Sequence, residues 1–390
     1  MAEMTISDGI VIAIISTISL VATVVSLGYL VFALACIVLW RERGAEHRAH
    51  NPGISLFKPV RGANDRLYDN LKSFCDQDYP NFQIIFGVRD DRDSALPVIR
   101  RLIDEFPGLD LKLSIGWDEN ASNPKVATLL VMEGLADHDI WVIADSDVSV
   151  RPNFLVAVAA EFVEPDIGAV TCLYTASAEP RLSLRFGAMA INEWFLPSAL
   201  VAAALGSLEF CFGAAMAVRR DILVEIGGFS ALANNLADDF MLGNRVHRAG
   251  YRVALAGQLV ETEVTEKNLS SMLLREVRWG RTIRAVQPAS YLGLALTHGI
   301  PLALISCLLT SFSTLALGLV AGALTLRLVI HYAVRHFLGV EDRVIPWLTP
   351  LRDCWGFLVW LLSYARRTVD WRGCRYRVER GGSMKPIGTR

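Results

Sequence analysis

Ile140-Trp141-Val142-Ile143-Ala144-Asp145-Ser146-Asp147 is the stretch that decides the fold. Five apolar residues read as a strand buried on both faces, and two carboxylates stand where it ends. Similar runs recur along the chain: Ile54–Val60, Phe82–Val88, Leu111–Ile115, Asp139–Ala144, Ala169–Leu173 and Val253–Ala256 read as extended. Between several of them lie amphipathic stretches, Asp65–Cys75, Ala95–Phe106 and Val126–Leu135, that read as helices. The alternation predicts an α/β domain with a mainly parallel sheet over residues 51–265. Ligands of such sheets sit beyond the carboxyl ends of the strands, so polar residues at those ends are the ones to inspect. No GxxxxGK[ST] and no GxGxxG occurs, which removes the usual ATP and dinucleotide cradles.

The rest of the chain reads as membrane. Of 390 residues, 53% are hydrophobic and 20% charged, against about 25% charged in a soluble domain. Lys plus Arg number 38 and Asp plus Glu 40, so no overall basic field exists to hold a nucleic acid. Gly9–Leu39 carries no charge and exceeds the roughly 20 apolar residues needed to cross a bilayer. Glu3 and Asp8 precede it, and Arg41, Arg43 and Arg48 come after. Those flanks describe an anchor over 9–40 rather than a cleaved leader, and place the α/β domain in the cytosol. A second apolar block predicts a helical hairpin over 290–338, turning at Ser311–Thr314. A third, over 346–365, contains Arg352 and Asp353 and leads into a basic tail, 366–390, with Arg366, Arg367, Arg372, Arg375 and Arg377. A full fourth span would put that tail outside. The segment therefore reads as re-entrant or interfacial, because an Arg-Asp pair in mid-span is expensive unless buried against protein. The expectation is an integral membrane protein, as of a bacterial inner membrane, with its α/β domain cytoplasmic. Seven dispersed cysteines, with no CxxC pair, argue against a disulfide framework or a structural metal site.

Several residue groups carry chemistry. Asp-x-Asp also occurs at 76/78, 91/93 and 137/139, but only Asp145 and Asp147 follow a buried strand. There both can face one hard divalent cation, Mg²⁺ or Mn²⁺, which prefers oxygen ligands and shares them with a diphosphate. The other reading is a turn with solvated carboxylates. Asp90 also follows a strand, either as a turn residue or as an acceptor for the edge of a base. Asp239, in Ala237-Asp238-Asp239-Phe240, is either a helix N-cap or a general base. Lys125, in the turn Asn123-Pro124-Lys125, can reach a phosphate or a base, or stand solvated. Arginines 275, 278, 281 and 284 form a basic face over 266–289, suited to lipid headgroups or to a leaving diphosphate at Arg278, with Trp279 beside the acceptor.

Taken in order, these pieces resemble the membrane-bound ceramide glucosyltransferases, glycosyltransferase family 21, together with the related bacterial hopanoid glycosyltransferases. The resemblance rests on Lys58-Pro59-Val60-Arg61-Gly62, Gln77-Asp78-Tyr79-Pro80, Val88-Arg89-Asp90, Asn123-Pro124-Lys125, Asp145-Ser146-Asp147, Ala237-Asp238-Asp239, Arg275-x-x-Arg278-Trp279 and Trp371-Arg372-Gly373-Cys374-Arg375-Tyr376-Arg377. It implies a GT-A fold, a UDP-sugar donor, a divalent metal and inverting transfer of glucose or N-acetylglucosamine to a lipid hydroxyl. Carried over by residue, Asp90 would hold the uracil, and Asp145 and Asp147 the metal and diphosphate. Pro59, Lys125 and Arg275 would line the donor. Asp239 would be the base, with Arg278 and Trp279 on the diphosphate and acceptor side. Where animal ceramide glucosyltransferases carry His-Pro, this chain has Leu196-Pro197. Ile191–Phe195 and the run Phe212–Asp221 are more similar to the hopanoid branch, which leaves the acceptor as ceramide or bacteriohopanetetrol. Two other readings bear on the same motifs. A processive polysaccharide synthase would need more spans than three or four segments supply. A non-catalytic scaffold or transporter would need no such set of acidic motifs.

Overall fold

The computed structural model describes residues 6–42, 51–178, 181–206, 208–266, 268–341, 345–366, 368–371, 374–379 and 381–389. Glu3, Arg43, Arg48, Arg367, Arg372 and Gly373, which enter the topology and motif readings, lie outside the described residues. The chain divides into two compact units, each assembled from three separate stretches. One comprises Met1–Trp40, Ala176–Leu205 and Val264–Val369; the other Arg41–Thr175, Gly206–Glu263 and Asp370–Arg390.

The strands belong to the second unit, except that Tyr174–Ser177 and Thr368–Trp371 cross its boundaries at Thr175 and Asp370. In chain order the strands are β1 (Ile54–Pro59), β2 (Phe82–Val88), β3 (Asp110–Ile115), β4 (Ile140–Ala144), β5 (Val148–Ser149), β6 (Ile167–Thr171) and β7 (Tyr174–Ser177). There follow β8 (Ala215–Arg219), β9 (Arg252–Leu255), β10 (Val260–Glu263), β11 (Thr368–Trp371), β12 (Cys374–Val378) and β13 (Met384–Thr389). Seven of them form one sheet in the order β3-β2-β1-β4-β8-β6-β9. The pairs β1–β2, β1–β4, β2–β3 and β6–β9 are parallel, as the alternation requires. β8 runs antiparallel to both its neighbours and was not legible as a strand, because Ala215–Arg219 has neither alternation nor a run of β-branched residues. Both faces are buried. Leu56, Ile84, Phe86 and Val142 pack into one core, and Phe57, Ile85, Trp141 and Ile143 into the other. This is the period-two signature of a strand covered on each side. Two further three-stranded sheets, β5-β10-β7 and β11-β12-β13, complete the strand content of the described residues.

The first unit is helical. Ile10–Leu39, Leu182–Ala204 and Thr314–Leu338 are long and apolar enough to cross a membrane. The pair Pro288–Thr297 and Gly299–Leu309, bent by 71°, makes a fourth if counted as one span. The expected hairpin turn is present: Ser311 and Phe312 take positive φ between helices Gly299–Leu309 and Thr314–Leu338. Sequence reading assigned no span to 182–204. There the helix widens into a π turn at Ile191–Phe195, where Asn192 exchanges two hydrogen bonds with the Ala176 backbone, at 2.7 and 2.9 Å.

The charged pair Arg352-Asp353 lies on helix Leu348–Ser363, whose 16 residues span about 24 Å, short of a full crossing. Each member has its own buried partner. Arg352 donates to Glu276 Oε2 at 2.8 Å. Asp353 Oδ1 accepts from Arg327 Nη2 and Trp194 Nε1, both at 3.0 Å, and Oδ2 from the Ile300 N–H at 2.9 Å. Glu193, on the π turn, accepts from His331 Nδ1 at 2.6 Å and from Arg335 at 3.3 Å. Pairing of this kind offsets the desolvation that charge in an apolar bundle otherwise costs.

Candidate active site

β1, β2 and β4 run parallel and end at one edge of the large sheet, where antiparallel β8 begins; Pro59 stands opposite Gly87, and Ala144 opposite Ala215. The Asp145 N–H donates to Ala214 C=O at 3.0 Å, and Asp145 C=O accepts from Val148 N–H at 3.3 Å, so Asp145-Ser146-Asp147 turns over that edge. Beneath the turn, the fully buried Lys58 of β1 donates from Nζ to Asp145 C=O at 2.5 Å and lies 3.7 Å from the centre of the Phe74 ring. Burial pulls the Lys58 ammonium down to about 7, against the attraction of Asp145 and Asp147.

Lys125 reaches the same edge from a helix start. Asn123 caps helix Pro124–Met132, its side chain accepting from the Lys125 and Val126 N–H groups at 2.9 and 3.3 Å. Pro124 fits the first helical position, where no N–H is needed. Lys125 Nζ then stands 2.7 Å from Asp145 Oδ1 and 3.7 Å from Asp238 Oδ2. Burial alone would discharge it, but the carboxylates of Asp145 and Asp238 outweigh burial and hold the lysine pKa above its ordinary value. Asn123 Nδ2 donates to Asp238 Oδ1 at 3.1 Å and to Asn235 C=O at 2.8 Å, tying the two loops together.

Asp238 and Asp239 occupy the first turn of helix Asp238–Arg248, whose N-cap is Ala237, so neither is the cap. Asp239 is half-buried, and burial together with the charge of Asp238 pushes its carboxyl up to about 7. The loop before β8 passes close by. A Cβ on Gly213 would fall 2.8 Å from Asp239 Oδ2, so glycine is what admits the carboxylate.

Asp145 and Asp147 stand together in the turn after β4. Burial, then the charge of Asp145, raises Asp147 to about 6, and a divalent cation between them would replace that repulsion with attraction. Among the described residues no cluster of three or more His, Cys, Asp or Glu side chains is placed to hold a metal alone. Two hard carboxylates fit a cation that draws its other ligands from water and a diphosphate. Asp90 is exposed, and its Oδ1 accepts from the Arg92 N–H at 3.0 Å in the turn after β2. Beside it the Arg89 guanidinium lies 3.7 Å over Trp117. Pro59, half-buried, ends β1.

Arg275, Arg278 and Trp279 belong to the first unit, on helix Leu269–Val286, which Asn268 caps by accepting from Ser271 N–H at 2.8 Å. Arg275 pairs with Glu266 and lies 4.8 Å over the Trp279 ring. Among the described residues its Nε and Nη2 are buried without a hydrogen-bond partner, a guanidinium edge suited to an anion. Arg278 is half-buried on the same helix.

A mixed sheet with a lysine-bridged acidic cluster beside its strand ends, together with apolar helices, is the arrangement expected of a GT-A-type membrane glycosyltransferase. The match is specific: the model of glycosyl transferase family 21 covers residues 18–384, and the chain belongs to that family. Ceramide glucosyltransferase 3 of Caenorhabditis elegans is 24% identical over 380 residues, 91% of this chain and 81% of that protein. Ceramide glucosyltransferase of Komagataella phaffii is 33% identical over 100 residues, 25% of this chain and 20% of that protein. Among solved structures, mannosyltransferase PcManGT from Pyrobaculum calidifontis, in complex with GDP-Man and Mn²⁺, superposes with a TM-score of 0.54 at 16% identity. It covers 90% of this chain and 97% of that one, a likeness of fold.

Proposed function

We propose that this glycosyltransferase moves a sugar, glucose or N-acetylglucosamine, from a UDP-sugar to a hydroxyl of a membrane lipid, ceramide or the hopanoid bacteriohopanetetrol. The observation that carries the reading is one sheet edge holding Lys125 against Asp145 and Asp238, with Asp239 pushed up to about 7 beside them. A carboxylate with that affinity for protons can take one from a hydroxyl at neutral pH. The acceptor oxygen, deprotonated by Asp239, attacks the anomeric carbon from the face opposite the diphosphate. The carbon–oxygen bond to UDP breaks, and the configuration inverts. Mg²⁺ or Mn²⁺ on Asp145 and Asp147 would supply positive charge to the leaving diphosphate. Lys125 adds positive charge from the α/β unit, and the family resemblance implies the same role for Arg275 and Arg278. Asp90 and Pro59 take the base side, and Trp279 the acceptor side. The domain works at the cytoplasmic face of the membrane, a bacterial inner membrane, so the lipid need not leave the bilayer.

The names of the curated relatives support ceramide and glucose, and Leu196-Pro197 is the departure that keeps the hopanoid in view. The test incubates membranes containing the protein with Mg²⁺ or Mn²⁺, UDP-glucose or UDP-N-acetylglucosamine, and each lipid separately, with products read by mass spectrometry. A glycosylated lipid that disappears in Asp147→Ala is expected. No product from any pair would sink the acceptor class, and an undiminished Asp147→Ala the metal role.

A further inference from the structure

We propose that the β12–β13 hairpin is a positioning element of the active site, holding in register the two turns that present Lys125 and Asp239. The proposal rests on the catalytic reading of those two residues. Along Arg375-Tyr376-Arg377-Val378, Tyr376 and Val378 are buried and Arg377 is exposed; across the turn Met384 is buried and Lys385 exposed. One face of the hairpin is therefore packed inward. The turn is closed by Gly382 N–H donating to Glu379 C=O at 3.1 Å and Glu379 N–H donating to Ser383 C=O at 3.0 Å. Gly381 and Gly382 stand at φ +87° and +83°, a region that favours glycine.

The hairpin's outward bonds go to two loops, from its turn to residues 234–236 and from Tyr376 of β12 to Ser122. Leu236 N–H donates to Gly382 C=O at 3.1 Å, and Met384 N–H donates to Asn234 C=O at 2.8 Å, flanking a bridge between Asn235 and Ser383. Leu236 lies three residues before Asp239. Tyr376 O–H donates to Ser122 C=O at 3.4 Å, and Ser122 lies three residues before Lys125. The two turns are in turn joined by Asn123 N–H donating to Ala233 C=O at 2.8 Å. The hairpin thus completes a junction of three backbone segments whose products are the Lys125–Asp145 contact and the placement of Asp239. A strand pair that only added core would have no reason to bond to these two turns.

The test uses the full chain in lipid nanodiscs. Gly382→Val forces a branched side chain into the left-handed region. It is expected to lower kcat by about tenfold or more while KM for the UDP-sugar stays within about threefold. Faster amide exchange should be confined to residues around 122–126 and 234–239. Gly382→Asn, which tolerates that region, should recover most of the activity. Gly339→Val is the control, since Gly339 also has φ +67° but ends helix Thr314–Leu338 in the other unit; it should leave kcat unchanged. Equal loss in the control, exchange raised everywhere, or an unchanged kcat overturns the proposal. Should Gly382→Val fail to fold, Tyr376→Phe decides, with a fall in kcat of about two- to fivefold expected for one lost positioning hydrogen bond and no change counting against it. Asp239→Asn is run alongside. Its keeping full activity would overturn the base assignment, whereas the exchange data read the hairpin's grip independently.

Discussion

Asp239 is an acid whose environment has been tuned towards neutrality by burial and by Asp238. Transfer should rise with pH through a limb centred at about 7, and Asp239→Asn should lower kcat by about 10²- to 10⁴-fold, both readable from initial rates. The same shift has a stability consequence. The native state binds this proton more tightly than the unfolded chain, so stability falls as pH rises from about 4 towards the folded value. Asp239→Asn should therefore melt above the wild type at pH 8, with the gap closing below pH 4; a variant that melts lower at pH 8 contradicts the assignment. Lys125→Met removes the cation between Asp145 and Asp238, and should lower kcat by about tenfold or more while lowering the melting temperature. Asp145, Asp147, Asp239 and Lys125 were legible because each sits at a strand end or helix start with a recognisable local pattern. The structural parts of Lys58, Asp238 and Gly213 were not, because each acts on a residue distant in sequence, which only the folded sheet edge brings near.

Among elements, the six strands read from apolar runs all exist, with ends displaced by at most two residues. Those not read are β5, β7, β8, β10 and the strands within 368–389. β8 is paired by β4 and β6, both distant in sequence, and its own run Ala215–Arg219 shows little pattern. The buried charges of the helical unit could be located in sequence but not paired. Asp353→Leu strands Arg327 without a counter-charge and should cost about 3–5 kcal/mol, seen as a lower melting temperature in detergent. The double variant Arg327→Met/Asp353→Leu should recover most of it, and a double variant as unstable as the single would show that the pair is not what matters. Gly243 makes a steric point on helix Asp238–Arg248. A Cβ there would meet the Phe210 backbone at 2.6 Å, so Gly243→Ala should cost about 1–3 kcal/mol.

For the molecule as a whole, the two units are interleaved in sequence, and no single cut separates them. The α/β domain read as 51–265 encloses the apolar helix Leu182–Ala204 and omits the hairpin that docks on its loops. Residues 41–263 expressed alone should therefore be recovered in the pellet rather than the supernatant after lysis, and should not transfer sugar. A soluble, active fragment would contradict that division. The order of synthesis gives the β12–β13 hairpin a further meaning. Residues 384–389 are translated after every membrane-spanning candidate, and after both turns they fasten. A nascent chain whose spans have already entered the bilayer still lacks the piece that sets Lys125 and Asp239. On the positioning proposal, a chain stopped upstream of the hairpin should transfer sugar at least about tenfold more slowly than the finished protein.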